Sequence, residues 1–242
     1  MKLIKSKLAF TLIELLVVIT IIAILAGIAL PVFTSVKVKG NQTKALSNAK
    51  QIALALRLYA SDNNGNFPTY VLQNGAPTTA SVATSNDAFA ELFPTYLTDE
   101  NIFYVAGSAW TPTQPDDQYD PAPDNTSGKT LEKGENEWAY VTGLNDSANA
   151  AVPLIADGFS GGAGVVANHI YTVDPSEKGG VWKGKQAIVV HSDASGAVLS
   201  VNQLSLSIIG PDGNGVANGD IFTTANGANG WLGYNNFTLN PK

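Results

Sequence analysis

Only a few stretches of this chain carry side chains with chemistry to offer. His191-Ser192-Asp193 brings together the residue types of a hydrolytic triad. Neighbours in sequence cannot adopt the relay geometry in which a base takes the nucleophile's proton while an acid orients the base. The run sits at the end of an apolar stretch and reads as a surface turn. Gly158-Phe159-Ser160-Gly161-Gly162 places a serine among glycines, but no strand–turn–helix context surrounds it, as a nucleophile elbow requires. Gly161-Gly162-Ala163-Gly164 has neither the lysine nor the following helix of a phosphate loop. The segment from Asp212 to Asp220 is different. Asp212, Asn214, Asn218 and Asp220 cluster oxygen donors among glycines. Hard cations such as calcium take that combination from a tightly wrapped loop, although the spacing is not that of an EF-hand and the bidentate glutamate is missing.

Composition removes most other chemistry. The 242 residues include no cysteine and two histidines, His169 and His191. Thiolate zinc sites, cysteine nucleophiles, iron–sulfur clusters and three-histidine metal sites are therefore excluded. No certain cofactor is expected beyond the candidate calcium loop, and the chain does not read as an enzyme. Charge is unevenly placed. Residues 10–59 hold five basic residues against the single acid Glu14, whereas residues 60–242 hold six lysines against nineteen acids. The result is a basic stem and an acidic head, and an acidic head argues against nucleic acid as a partner.

The most informative ionisable residue is Glu14. It lies in the run from Phe10 to Phe33, 24 residues with no other charge, long enough for the roughly 20 residues that cross hydrocarbon. The run exceeds the apolar core of a cleaved secretory signal, although Ala26-Gly27-Ile28-Ala29 offers a small-residue site. Lys2, Lys5 and Lys7 precede it, which places the N-terminus in the cytoplasm and the remainder outside. A carboxylate in such a run costs on the order of a few kcal/mol, less near the bilayer edge. A cut between Ala9 and Phe10 creates an α-amine that can offset the cost, because staggered parallel helices bring the amine of one chain beside Glu14 of the next.

Lys7-Leu-Ala-Phe-Thr-Leu-Ile-Glu-Leu-Leu16 resembles the prepilin processing motif of type IV pilins and type II secretion pseudopilins. The resemblance implies a leader, residues 1–9, removed by prepilin peptidase, and N-methylation of Phe10. It makes Glu14 the acid at the fifth mature position, which guides docking into a filament together with Phe10. It places Pro31 where the family has its helix-kinking proline, and it implies an inner-membrane assembly platform and its ATPase as partners. The family usually has glycine before the cut, where this chain has Ala9. Tyr59 to Thr69 also resembles the helix-to-head junction of major pseudopilins, and those often hold calcium in a C-terminal loop.

The elements that position these residues can be read from periodicity. Ala45, Ala49, Ile52, Ala53, Leu56 and Tyr59 recur at helical spacing, which extends the apolar run into an amphipathic second half. The stem, residues 10–62, is expected as one long helix with a kink or a melted stretch between Gly27 and Gly40, centred on Gly27 and Pro31. Asn63-Asn64-Gly65 and Pro68 end it. Residues 63–242 are expected as a β-rich extracytoplasmic head. A short helix is placed at 87–96 and strands at 102–105, 137–142, 152–156, 169–173, 186–191 and 197–201. Gly196 is expected to supply the positive φ of the turn before the last strand, and the Gly/Asn-rich tail from Gly210 reads as loop. The fold class is α+β, a long N-terminal helix packed on an antiparallel sheet. The expected function is a structural subunit of a helical filament, a pilus or a secretion pseudopilus, held in the inner membrane before assembly and then extracellular or periplasmic. The alternative is a membrane-anchored surface binding protein that never polymerises.

Overall fold

The computed structural model describes residues 11–68, 84–119, 129–210, 219–223, 232 and 236–242. The chain divides into two compact units, residues 1–41 and 42–242, and the first helix, α1 (Leu12–Asp62), contributes to both.

In the first unit the described residues are all helical from Leu12 on. Helix continues through Gly27, Pro31 and Gly40, so the melted stretch expected there is not found. Leu12, Ile13, Leu25, Ile28, Leu30 and Phe33 are all exposed. By length and composition this is a helix able to cross a membrane.

The second unit is an α+β body. Its part of α1 buries Ala45, Ala49, Ile52, Ala53, Leu56 and Ala60, one stripe at three- and four-residue spacing. The helix stops as expected. Asn64 and Gly65 take the left-handed conformation, with φ of 55° and 80°, and the Gly65 amide returns to the Ala60 carbonyl at 2.8 Å, satisfying one of the last-turn acceptors. A second helix, α2 (Ser85–Ala90), opens on a capping box between Thr84 and Asp87.

Six strands form one antiparallel sheet: β1 (Trp138–Thr142), β2 (Pro153–Asp157), β3 (Gly164–Val165), β4 (Gln186–His191), β5 (Gly196–Ser200) and β8 (Phe237–Asn240), in the order β3-β8-β1-β2-β4-β5. The short strands β6 (Ile209–Gly210) and β7 (Gly219–Asp220) pair separately. The second half of α1 meets the β4–β5 side: Arg57 donates to the Ser192 carbonyl at 2.7 Å and Gln42 to Gln186 at 2.9 Å. The core between helix and sheet holds Phe89, Phe103, Trp138, Tyr140, Leu154 and Ile188.

Four local expectations are corrected. Residues 100–103 form a 3-10 turn instead of a strand, because the Asp99 carboxylate caps it by accepting from the Asn101 amide. The stretch 169–173 has no strand partner among the described residues and is held by loop bonds such as Tyr171 to Leu206 at 2.7 Å. The tail contributes β8, an inner strand between β1 and β3, where a plain loop was expected. In the β4–β5 turn the positive φ falls on Ala194, at 63°. Gly196 is glycine for a different reason, since a Cβ there would meet Val190 at 2.9 Å and Leu46 and Lys50 of α1 at 3.1 Å.

Candidate functional site

Thr11 stands one residue before α1, and Glu14 is in its first turn. Glu14 Oε2 accepts from the Thr11 amide at 2.8 Å and from the Thr11 hydroxyl at 2.7 Å, while the Glu14 amide donates to Thr11 Oγ1 at 3.3 Å. This is a reciprocal capping box. Its sequence signature, Thr-x-x-Glu ahead of an apolar run, is present at residues 11–14, and reading Glu14 only as a partner for a cation passes over it. A capping interaction contributes on the order of 1 kcal/mol, against a few kcal/mol for a carboxylate within hydrocarbon. The cap thus offsets part of the cost and leaves a net gain for any cation that approaches Oε1 or Oε2. Ala9 and Phe10 lie outside the described residues.

Of the calcium candidates, Asp212, Asn214 and Asn218 also lie outside the described residues. Asp220 is engaged: one oxygen is 2.8 Å from His169 Nδ1, and the other accepts the Phe222 amide at 3.0 Å. His169 is packed edge-on to Phe159 and tilted against Phe222. It lines a cleft of about 460 Å³ with Ser205, Ser207 and Asp220. The histidine–aspartate pair is invisible to sequence spacing, being 51 residues apart. It has no serine in line, because the Ser205 and Ser207 hydroxyls bond each other at 2.8 Å.

The other chemical motifs resolve into structure. Ser192 is buried and donates to the Asn149 carbonyl at 2.8 Å, while Asp193 accepts the Ser195 amide at 2.7 Å. His191, Ser192 and Asp193 therefore form a turn and not a relay. Gly158 is a packing position, where a Cβ would meet the Trp110 indole at 2.5 Å.

Two carboxylate groups emerge that the sequence did not single out. Glu137, the residue before β1, and Asp157, the last residue of β2, are both fully buried, and Asp157 is paired with Trp138, the neighbour of Glu137. Asp157 Oδ2 accepts from Trp182 Nε1 at 2.8 Å and from the Ile188 amide at 2.5 Å, while Oδ1 is buried with no hydrogen-bond partner among the described residues. Burial pushes the Asp157 carboxyl up to about 7. It also raises Glu137 well above the usual range, with the Asp157 charge adding to the effect. Separately, Glu100, Asp116 and Glu135 each bring one oxygen to within 4.8 Å of the other two. Burial lifts Glu100 to about 7, and the charges of Glu135, Asp116 and Asp117 act in the same direction.

Known proteins bear on these features at the N-terminal end. Residues 4–30 match the family model of the prokaryotic N-terminal methylation motif. The type II secretion system core protein G of Aeromonas hydrophila is 43 % identical over 60 residues, which cover 25 % of this chain and 41 % of that protein. No solved structure matches the chain. Over its N-terminal quarter, which carries Phe10 and Glu14, the chain is thus similar to a type II secretion pseudopilin, and it spans less than half of that relative's length.

Proposed function

We propose that this chain is a pilin or pseudopilin that polymerises into a helical filament, as part of a type IV pilus-like or type II secretion assembly. Prepilin peptidase cuts between Ala9 and Phe10 and the new terminus is methylated. The protomer waits in the inner membrane with its N-terminus in the cytoplasm. The assembly platform and its ATPase then stack it with other copies into an extracellular or periplasmic fibre. A bend at Gly27 and Pro31 adapts the stem to its neighbours.

The observation that carries this reading is Glu14, the sole acid of the exposed, largely apolar first part of α1. From Leu12 to Val38 nearly every large side chain is exposed. Covering each one is worth roughly 1.5–3 kcal/mol, so the surface as a whole is worth tens of kcal/mol, and lipid or sister helices must cover it. Lipid alone leaves Glu14 short of a partner. A sister helix shifted by one axial step supplies the Phe10 amine, and the two groups become tolerable as a pair.

Replacing Glu14 by Leu in cells tests this. Surface fibres sheared from the wild type are expected to yield protomers that begin at a methylated Phe10 by mass spectrometry, and the Glu14→Leu cells are expected to yield none. Normal fibres from the variant would overturn the role of Glu14, an uncut Ala9-Phe10 bond in wild-type fibres would overturn the processing step, and wild-type cells without fibres would reduce the stem to a plain anchor.

A further inference from the structure

A cluster of carboxylates sits away from the C-terminal loop where calcium was sought. It joins three segments that precede β1: the 3-10 turn at Glu100, the loop at Asp116, and the turn at Glu135. Glu135 is buried and its two oxygens accept the amides of Asp116, at 3.2 Å, and Glu132, at 2.5 Å. Asp116 is exposed and closes the cluster on the solvent side. Glu100 is fully buried. Its Oε1 accepts the Leu131 amide at 2.7 Å, while Oε2 is buried with no hydrogen-bond partner among the described residues. Asp117 adds a fourth carboxylate nearby, accepting the Glu100 amide at 3.0 Å.

An acid fully withdrawn from water, with one oxygen unsatisfied and two further carboxylates facing it, lacks the compensation that buried charge requires. We propose that Glu100, Asp116 and Glu135 hold a calcium ion. Three hard oxygens gathered within 4.8 Å can be bridged by one ion with bonds of roughly 2.3–2.6 Å, and the cation prefers oxygen donors alone. Magnesium demands a tighter octahedron, with bonds of about 2.0–2.1 Å, and gives up its water reluctantly. Three protein ligands leave part of a six- to eight-fold shell to water, which enters past Asp116. That ligand count fits an extracytoplasmic affinity, with a dissociation constant on the order of 10⁻⁴–10⁻³ M. The ion ties the three segments to one another ahead of the first strand. This site is separate from Asp212–Asp220, and it does not depend on the filament reading.

The test uses the full chain in detergent micelles, with thermal melting followed by near-ultraviolet circular dichroism in EDTA and in about 5 mM calcium chloride, a concentration at or above the expected dissociation constant. Calcium is expected to raise the melting temperature by roughly 2–8 °C. The shift is expected to vanish in Glu100→Gln and in Asp116→Asn and to persist in Asp212→Asn. Asp116 is exposed, so its variant reports on binding even if the buried Glu100→Gln fails to fold. Identical melting with and without calcium would overturn the proposal. So would a shift that survives Asp116→Asn and disappears in Asp212→Asn, which would assign the ion to the C-terminal loop.

Discussion

One helix, two unlike halves: from Leu12 to Val38 α1 exposes leucine, isoleucine, valine and phenylalanine, and from Gln42 to Ala60 it buries mainly alanine, with Ile52 and Leu56. The more apolar half is the less buried one within the chain. Hydrophobic content therefore says how much surface must leave water, and the chain alone does not say what covers it. The second half needs only a narrow stripe, because the sheet is already in place to receive it. The first half has no such surface within its own unit, and its covering has to come from outside that unit.

Substitutions can break that contrast. Glu14→Leu is expected to have the largest effect, complete loss of fibres, yet it should leave the melting of the second unit unchanged. A drop in that melting would show that the two halves are not independent. Next, Leu56→Ala is expected to destabilise the second unit by about 2–5 kcal/mol in chemical denaturation, through the cavity it opens. Leu25→Ala, at an exposed position of the first half, is expected to cost that unit nothing.

Acidity sharpens the contrast at the level of buried charge. The folded-state value of Asp157 lies near 7, above its ordinary 3.8. Its contribution to stability is complete below about pH 4 and is lost as pH rises through 7. The second unit is therefore expected to lose stability, on the order of a few kcal/mol, between those limits. Asp157→Asn should make that slope shallower in denaturation curves taken across the range, with Glu100 and Glu137, whose carboxyls are raised as well, keeping the rest of it. The smallest effect concerns the boundary between subunits. If Lys37, Lys39, Lys44 and Lys50 face acidic heads of neighbouring protomers, fibres are expected to shed subunits faster at about 1 M salt than at 0.1 M, as measured by sedimentation. Equal stability at both would remove those contacts.

Legibility in the sequence followed the range of the interaction. The stripe of α1, its Asn64-Gly65 stop and the β4–β5 hairpin all depend on residues within a few positions of one another, and periodicity and turn chemistry revealed them. The Thr11–Glu14 box was equally local. Strand β8 was hidden because its four residues sit in a Gly/Asn-rich tail and gain their meaning only from Tyr140 opposite Leu239. The Glu100–Asp116–Glu135 cluster and the His169–Asp220 pair were hidden for the same reason. Each joins loops that only the completed sheet brings together, and a carboxylate in an acidic sequence carries no mark of having been buried.

The placement of β8 also sets an order of events. As the polypeptide emerges N-terminus first, β1 and β2 can pair early, but the outer flank of β1 stays open until residues 237–240 arrive. For that interval an apolar, fully formed rim is available to any passing chain, and joining it to its own distant mate is a slow, high-separation closure. The tail then locks down twice near α2, through the Lys242 amide on Asn86 at 3.0 Å and the Lys242 ammonium on Asp87 at 2.8 Å. Shortening the chain by those few positions would leave the flank of β1 unpaired and prone to sticking to another copy edge to edge.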